Sequence, residues 1–314
     1  MSADRWSVTR MRAWHRCHRL YHYRYCLDLG EPQTDAQAFG SVGHEVLEHC
    51  LRSDKGEELP ELRSKLTDAY ELARLQASLY GYRTRWSHVR WEVLGVEVPF
   101  EFELAGHVIN GRMDGIVRDL DDGRVFVLEH KFTSSDTSPG SSYWERLAVD
   151  TQIGVYIDGA AVLGHDVAGV IYDVIVKPSH KVKRATPLAD RKYTKGSAKE
   201  LPRLYAGQRE TDETPDEFYD RICEDIAARP ADYYQRAIIV RTGDELSQLR
   251  NDILQTIHLA RVAEMFDVAP RNPDACFQYG SRCFFWDACL GAADIADTLR
   301  FPRRTRTEST AQLP

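Results

Sequence analysis

Two carboxylates and a lysine in the middle of the chain form the arrangement that most clearly suggests chemistry. Asp114 lies within the sequence Gly-Arg-Met-Asp-Gly, and Glu129 and Lys131 end the apolar run Val-Phe-Val-Leu-Glu-His-Lys. Side chains alternate between the two faces of a strand, so Glu129 and Lys131 share one face. Charged groups at the end of a buried strand are unusual unless they are paired or functional. A surface hairpin with an ordinary Glu–Lys pair is the alternative.

A partner strand in a hairpin would bring Asp114 beside Glu129. Two adjacent carboxylates repel each other unless a cation lies between them, and hard divalent cations prefer oxygen ligands. Mg²⁺ or Mn²⁺ in such a place activates water and stabilises the charge that builds on a phosphate as it is cleaved. A neighbouring lysine can orient or deprotonate that water. The pattern therefore predicts metal-assisted hydrolysis of a phosphate ester.

The elements that must position these residues follow from the hydrophobic periodicity, which changes from helical to strand-like near residue 90. The sequence Asp-Asp-Gly at residues 121–123 is a hairpin turn signal between two of the strands. The predicted helices are a first one capped by Ser7 or Thr9 and running to Tyr25, then Ala36–Leu51, Glu61–Leu79, Tyr143–Leu163, Pro215–Ala228 and Asp244–Phe266. The predicted strands are Val93–Phe102, His107–Val117, Arg124–Phe132 and Ala168–Val176.

Three further polar residues could reach the same site. His44 lies in the predicted second helix, within Phe-Gly-Ser-Val-Gly-His-Glu. Gln152 and Tyr156 are four residues apart, which places them on one face of a helix. Each signal is weak by itself, because a helical histidine is more often packed or solvated than a ligand. Their order along the chain carries more information than any one of them.

That order resembles the RecB-like branch of the PD-(D/E)XK nuclease superfamily, which includes the AddB nuclease domain and the CRISPR-associated RecB-like exonucleases; many viral recombination exonucleases look similar. The matching series is G-x-x-x-H, G-x-x-D-G, L-E-x-K and Q-x-x-x-Y, and the likeness spans residues 5–290. The resemblance implies that His44, Asp114 and Glu129 bind the metal with the backbone carbonyl of His130. It further implies that Lys131 is catalytic and that Gln152 and Tyr156 support the site or touch DNA.

Three cysteines crowd near the end of the chain, at Cys276, Cys283 and Cys289, with aromatic residues between them. An odd total of seven cysteines argues against a disulfide framework. Soft thiolates select an iron–sulfur cluster or Zn²⁺, and four ligands are wanted where only three are local.

The start of the chain resembles the RecB-like iron–sulfur nucleases, in which one early cysteine joins three late ones. By position the resemblance implies a four-iron four-sulfur cluster held by Cys17, Cys276, Cys283 and Cys289, with Zn²⁺ as the alternative. It would staple the first helix to the end of the chain. This sequence has six residues between the first two late cysteines where the family usually has two. For the early ligand, Cys26 is an alternative to Cys17.

Charge and hydropathy favour some classes of protein and argue against others. The net charge is −7, yet six arginines lie between Arg5 and Arg24, and Lys177–Lys195 is a second basic stretch. Both fit a DNA groove bounded by repulsive surface, or equally solvated charged faces. We expect no membrane segment and no secretory signal, because no apolar run approaches the roughly 20 residues of a membrane helix and the first residues lack an apolar core. These features predict a cytoplasmic protein.

We therefore expect a mixed α/β fold with a central sheet flanked by helices. Residues 1–300 form one nuclease domain, in which 1–30 and 270–292 make the cluster region, and 301–314 form a disordered tail. The expected activity is a metal-dependent DNA exonuclease of recombination, repair or processing, acting on single strands or duplex ends with a helicase or recombinase. The aromatic side chains of Trp14, Tyr21 and Tyr23 are candidates for stacking on bases, and packing of at least half of them against the core is the alternative. A non-catalytic DNA-binding scaffold and an endonuclease of the same fold are the alternatives.

Overall fold

A mixed sheet of six strands lies at the centre of the part of the chain that the structure describes. The structure is a computed structural model and describes residues 4–52, 66–195, 203–266, 269–278 and 281–304. In chain order the strands are β1 (Arg5–Trp6), β2 (Trp91–Leu104), β3 (His107–Asp119), β4 (Val125–Thr133), β5 (Val167–Val176) and β6 (Tyr234–Ile239).

Strand pairing is both parallel and antiparallel. The main path runs β1-β3-β4-β5-β6, and β2 pairs with β3 as a long antiparallel hairpin. The β1–β3 and β4–β5 pairs are parallel, whereas β3–β4 and β5–β6 are antiparallel. The predicted hairpin turn between β3 and β4 is confirmed, because Gly123 takes a φ of 77° and donates to the Asp119 carbonyl over 2.8 Å. That turn aligns the two strands that carry Asp114 and Glu129.

Helices cover both faces of this sheet, which confirms the predicted fold class. The α-helices are α1 (Val8–Arg16), α2 (His18–Tyr21), α3 (Asp35–Arg52), α4 (Ala69–Arg85), α5 (Ser142–Glu145), α6 (Thr151–Val162), α7 (Pro215–Ala228), α8 (Pro230–Tyr233), α9 (Gly243–Ala263) and α10 (Trp286–Leu290). Helices α1, α6 and α9 pack on one face through a core that includes Val127 and Val174. Helices α3, α4 and α7 pack on the other face. Among the described residues, every helix is too short or too polar to cross a lipid bilayer.

The first predicted helix is interrupted, contrary to expectation. Ser7 does cap α1, where its hydroxyl accepts from the Arg10 amide over 3.2 Å. The helix then ends at Cys17, which has extended backbone dihedrals, and resumes as α2 and a π-helical turn, His22–Cys26. The break turns Cys17 away from the regular helical path.

Other boundaries also differ from prediction. The third helix begins at Ala69 because Asp68 caps it, while residues 61–65 of the prediction lie outside the described residues. The helix predicted over Tyr143–Leu163 is three pieces: α5, a 3-10 turn at Arg146–Val149, and α6. Asp150 divides them, because its side chain accepts from the Gln152 amide and starts α6 afresh. Strand β6 was not predicted.

The end of the described chain packs against its beginning. Phe301 is buried in a cluster with Leu20, Tyr23 and Phe285. The Gly30 amide donates to the carbonyl of Pro302 over 2.7 Å. Residues 301–304 thus belong to the packed structure, although the sequence predicts that they are part of a disordered tail. Residues 305–314 lie outside the described residues.

Candidate active site

The Asp114 carboxylate is held at the join between strands β3 and β4. Its Oδ2 atom accepts from the backbone N–H of His130 over 2.7 Å and lies 3.3 Å from Nδ1 of His44 on α3. The neighbouring ladder pair is Gly115 with Leu128, so the hairpin register sets this contact. The sequence predicts Asp114 beside Glu129, and the structure places the Asp114 carboxylate on the peptide of His130, the residue after Glu129, and near His44.

Glu129 points to the opposite face of β4 from His130 and is almost completely buried, with 2% of its side chain exposed. Its Oε1 atom accepts from Nε2 of Gln152 over 2.9 Å and also contacts Nζ of Lys131. Its Oε2 atom is buried and has no hydrogen-bond partner among the described residues. An unpaired carboxylate oxygen in a buried position is costly, and a bound cation is one way to satisfy it.

The pKa values of the two carboxyl groups are shifted in opposite directions. Burial raises the pKa of Glu129, and the nearby Lys131 only partly offsets that effect. Burial would also raise the pKa of Asp114, but hydrogen bonds with His130 and His44 outweigh it and lower the pKa. The site thus combines a strongly ionised carboxylate with one that is less easily charged.

Helix α6 supplies the polar side of the site. Gln152 donates to Glu129 and also to the hydroxyl of Tyr156 over 2.6 Å, and that hydroxyl donates to the Arg112 carbonyl over 3.0 Å. The predicted pair on one helical face therefore connects β4 to β3. From helix α6, Gln152 contacts the Glu129 carboxylate and Tyr156 contacts the strand that carries Asp114.

The donor set fits a hard divalent cation by its chemistry. Asp114 and Glu129 provide carboxylate oxygens, and the unpaired Oε2 of Glu129 is free to take a ligand role. In the geometry of the described residues, no three His, Cys, Asp or Glu side chains already surround one ion position. Lys131 occupies part of the space beside Glu129 through its ion pair.

Sequence reasoning missed Glu97 at this site and included Arg12 only as one of six early arginines, without placing it beside Gln152. Glu97 on β2 lies opposite Asp114, takes a positive φ of 51° and pairs with Arg112 over 2.7 Å. Arg12 on α1 reaches Asp150 over 2.8 Å and the side-chain oxygen of Gln152 over 3.3 Å. Neither residue belongs to a motif, so only the folded arrangement reveals them.

The four cysteines predicted as ligands line one small cavity. Cys17 meets Cys276, Cys283 and Cys289 there, while Cys26 is not among the lining residues. Asn272 holds the two segments together by donating to the Arg16 carbonyl over 2.9 Å. Burial raises the pKa of the Cys283 thiol. The break after α1 and the return of the chain end thus bring together four soft donors.

The aromatic residues of the first helices do not offer stacking surfaces, and that prediction is wrong. Trp14, Tyr21 and Tyr23 are 5%, 1% and 7% exposed and belong to the core. Most of the early arginines are also engaged within the protein. Arg10, for example, lies 3.9 Å from the ring centroid of Trp6 and pairs with Asp4 and Glu264.

The sequence matches a known protein family over most of its length. The family model of the PD-(D/E)XK nuclease superfamily matches residues 5–290. Among solved structures, the chain is similar to the crystal structure of SSO0001, with 15% sequence identity and a TM-score of 0.27 over 73% of this chain and 77% of that one. No curated protein matches the chain. The match of the family model over most of the sequence shows that the chain belongs to the PD-(D/E)XK nuclease superfamily.

Proposed function

We propose that this protein is a metal-dependent deoxyribonuclease that degrades DNA from its ends. The observation that carries the proposal is the buried Glu129 carboxylate, whose Oε2 atom has no hydrogen-bond partner in the described part of the chain, while Lys131 contacts the other oxygen. A scaffold would gain nothing from this costly arrangement, because an apolar residue would pack there without desolvating a charge.

Asp114, Glu129, His44 and the backbone carbonyl of His130 would hold Mg²⁺ or Mn²⁺. When bound, such an ion supplies positive charge that stabilises a phosphate under attack and makes water more nucleophilic. Lys131 orients the attacking water and offsets charge on the phosphate. Gln152 keeps Glu129 in place through its 2.9 Å hydrogen bond.

Arg12 is a candidate contact for the substrate phosphate. About half of its side chain is exposed, and it lies beside Gln152 at the edge of the site. The exposed lysines of the 177–195 segment, such as Lys181 and Lys192, would extend the contact along the DNA backbone. A role in recombination or repair with a helicase or recombinase partner is part of the same proposal.

The four cysteines would hold a four-iron four-sulfur cluster. The supporting observation is that they line one cavity. Zn²⁺ is the alternative, since four thiolates are ligands for either group. Arg16, Arg19 and Arg271 also line the cavity and would balance its negative charge.

The test is cleavage of end-labelled linear DNA and of circular DNA by anaerobically purified protein, with Mg²⁺ or Mn²⁺ and with chelator. We expect the linear DNA alone to be degraded, and only with metal. Lys131→Ala should abolish cleavage, whereas Arg124→Ala, a change in the exposed turn before β4, should not. Cleavage of circular DNA would instead identify an endonuclease. Absence of metal-dependent cleavage of any substrate would refute the nuclease proposal and favour a DNA-binding scaffold.

A further inference from the structure

A chain of polar side chains lies behind the site, on the face of the sheet opposite Glu129 and Lys131. Asp173 on β5 is fully buried and is the ladder partner of His130 on β4. Its Oδ2 atom accepts from Nε of Arg236 on β6 over 2.9 Å and from the hydroxyl of Tyr82 on α4 over 2.6 Å. Three elements that the metal-binding residues do not use therefore converge on one carboxylate.

The series of hydrogen-bonded side chains continues from Tyr82 to the site itself. The Tyr82 hydroxyl lies 3.1 Å from Nε2 of His130. A tyrosine hydroxyl has one hydrogen, and here it is given to Asp173, so the hydroxyl accepts and Nε2 of His130 carries the donated hydrogen. The backbone N–H of the same histidine donates to Asp114 Oδ2 over 2.7 Å. The His130 ring thus lies between the Tyr82 hydroxyl and Asp114, whose Oδ2 atom is 3.7 Å from Nδ1 of the ring and also accepts from the His130 peptide.

The guanidinium group of Arg236, at the other end of this series of side chains, is also fixed in place. The Arg236 guanidinium carbon lies 3.9 Å from the ring centroid of Trp86 and 4.5 Å from that of Trp91. Only 13% of the Arg236 side chain is exposed. A guanidinium held between two indole rings has little freedom to turn, so the position of Asp173 is fixed as well.

Stability alone does not account for this arrangement. A buried ion pair recovers its desolvation cost poorly, and well-packed apolar residues of similar volume are often at least as stable. Here the Oδ1 atom of Asp173 also lacks a hydrogen-bond partner among the described residues, which adds to the cost. Polar groups that orient metal ligands from behind, by contrast, have a direct effect on metal affinity.

We propose that Tyr82, Asp173 and Arg236 are positioning residues that fix the His130 peptide and, through it, the Asp114 carboxylate for metal binding. The proposal rests on the proposed function, because it names the support of the same metal site. None of the three touches the substrate. Their contribution is the orientation of the peptide whose N–H binds Asp114 and whose carbonyl is a proposed ligand.

The test compares Tyr82→Phe with Tyr70→Phe in the full chain. Tyr70 lies on the same helix, and its hydroxyl also makes a 2.6 Å hydrogen bond, but to the carbonyl of Glu213 rather than toward the site. Mn²⁺ binding is measured by calorimetry, and the Mg²⁺ concentration that gives half-maximal cleavage is measured with linear DNA. Thermal unfolding of each variant is the check that it is folded.

We expect Tyr82→Phe to weaken Mn²⁺ binding and to raise the half-maximal Mg²⁺ concentration by about 10- to 100-fold. The KM for DNA should stay unchanged, and saturating Mg²⁺ should restore most of the rate. Asp173→Asn should act in the same direction, and Tyr70→Phe should match the wild type.

Wild-type metal affinity in Tyr82→Phe, or an equal loss in Tyr70→Phe, would overturn the positioning role while leaving the nuclease proposal intact. If the wild-type protein neither binds Mn²⁺ nor cleaves DNA, the proposed function fails first and the positioning role fails with it. The two failures are therefore told apart by the wild-type protein alone.

Discussion

Gln152 donates to Oε1 of Glu129 over 2.9 Å, and this bond connects helix α6 to strand β4 inside the site. The same amide donates to Tyr156, while its oxygen lies 3.3 Å from a nitrogen of Arg12. Because amide nitrogen and oxygen both have partners, the orientation of Gln152 is defined. A helix that begins only at Thr151 thereby fixes the less easily ionised carboxylate of the pair.

Replacement of Gln152 should reduce activity without unfolding the protein. In Gln152→Ala, Glu129 loses a hydrogen bond to Oε1 and keeps only the contact of that atom with Lys131, so we expect kcat/KM to fall by about 10- to 100-fold. Gln235→Ala is the control, because that side chain donates only to the Ala231 carbonyl at the edge strand β6. The measurement is the initial rate on linear DNA at several Mg²⁺ concentrations. An unchanged rate in Gln152→Ala would mean that Glu129 needs no support from α6.

Two glycines on helix α3 should respond oppositely to alanine. A Cβ atom at Gly43 would lie 2.3 Å from the ring of Phe132, whereas a Cβ at Gly40 would meet nothing within 4 Å. We expect Gly43→Ala to lower the free energy of unfolding by about 1–3 kcal/mol. Gly40→Ala should leave it unchanged or raise it by up to about 1 kcal/mol, because alanine favours the helix.

Urea unfolding of both glycine variants gives the comparison. Equal stability of the two would contradict the close packing of α3 against β4. Because His44 directly follows Gly43 and Lys131 directly precedes Phe132, we also expect Gly43→Ala to impair cleavage.

Iron content should depend on the cavity cysteines and not on their neighbour. Cys17→Ser and Cys289→Ser remove thiols that line the cavity, and each should lose most of the iron and acid-labile sulfide of anaerobically purified protein. Cys26→Ser should keep both, since Cys26 is exposed and does not line the cavity. Zinc in place of iron in the wild-type protein would decide for the alternative, and loss of iron in Cys26→Ser alone would reverse the assignment of the early ligand.

Acid should destabilise the protein partly through Glu213. Hydrogen bonds from Arg221 lower the pKa of this buried carboxyl from 4.5 to about 2. Because the folded pKa is the lower one, the stabilisation is fully present above pH 4.5 and is lost as the pH falls toward 2. A shift of this direction and size corresponds to a contribution of about 3 kcal/mol at neutral pH.

The comparison for Glu213 is between Glu213→Gln and Glu210→Gln, measured by urea unfolding from pH 7 to pH 3. Glu213→Gln should be less stable than wild type at pH 7, and the difference should shrink as the pH falls. Glu210 is exposed, so its replacement should change little. A pH-independent difference for Glu213→Gln would show that lost packing, rather than charge, causes its instability.

The strands of the site were predictable because their signals are local. The apolar run before Glu129 and the Asp-Asp-Gly turn together define β3, β4 and their register, and the register brings Asp114 to His130. The strand β6 was not predictable in the same way. Its sequence Tyr-Gln-Arg-Ala-Ile-Ile is short and mixed, and it becomes a strand by pairing with β5.

Contacts between distant elements were beyond sequence reasoning. Tyr82, Asp173 and Arg236 lie on a helix and two strands, and none forms a motif with the others. The early arginines could not be told apart by sequence for a related reason, because Arg12 reaches the site whereas others are engaged within the protein. Charge alone predicts a phosphate-binding face, but Arg10 stacks on Trp6 and pairs with acidic side chains from other segments. Whether an arginine faces solvent is decided by its tertiary neighbours.

The cysteine cavity closes between parts of the chain that are made at very different times. The Asn272 side chain meets the Arg16 carbonyl across 256 residues of sequence. Since proteins are synthesised from the amino terminus, a nascent chain carries every residue of the acidic site long before the last three cavity cysteines leave the ribosome. Anything bound by the four thiols is therefore acquired after every residue of the acidic site has been translated, so the delivery of that group follows the synthesis of the site.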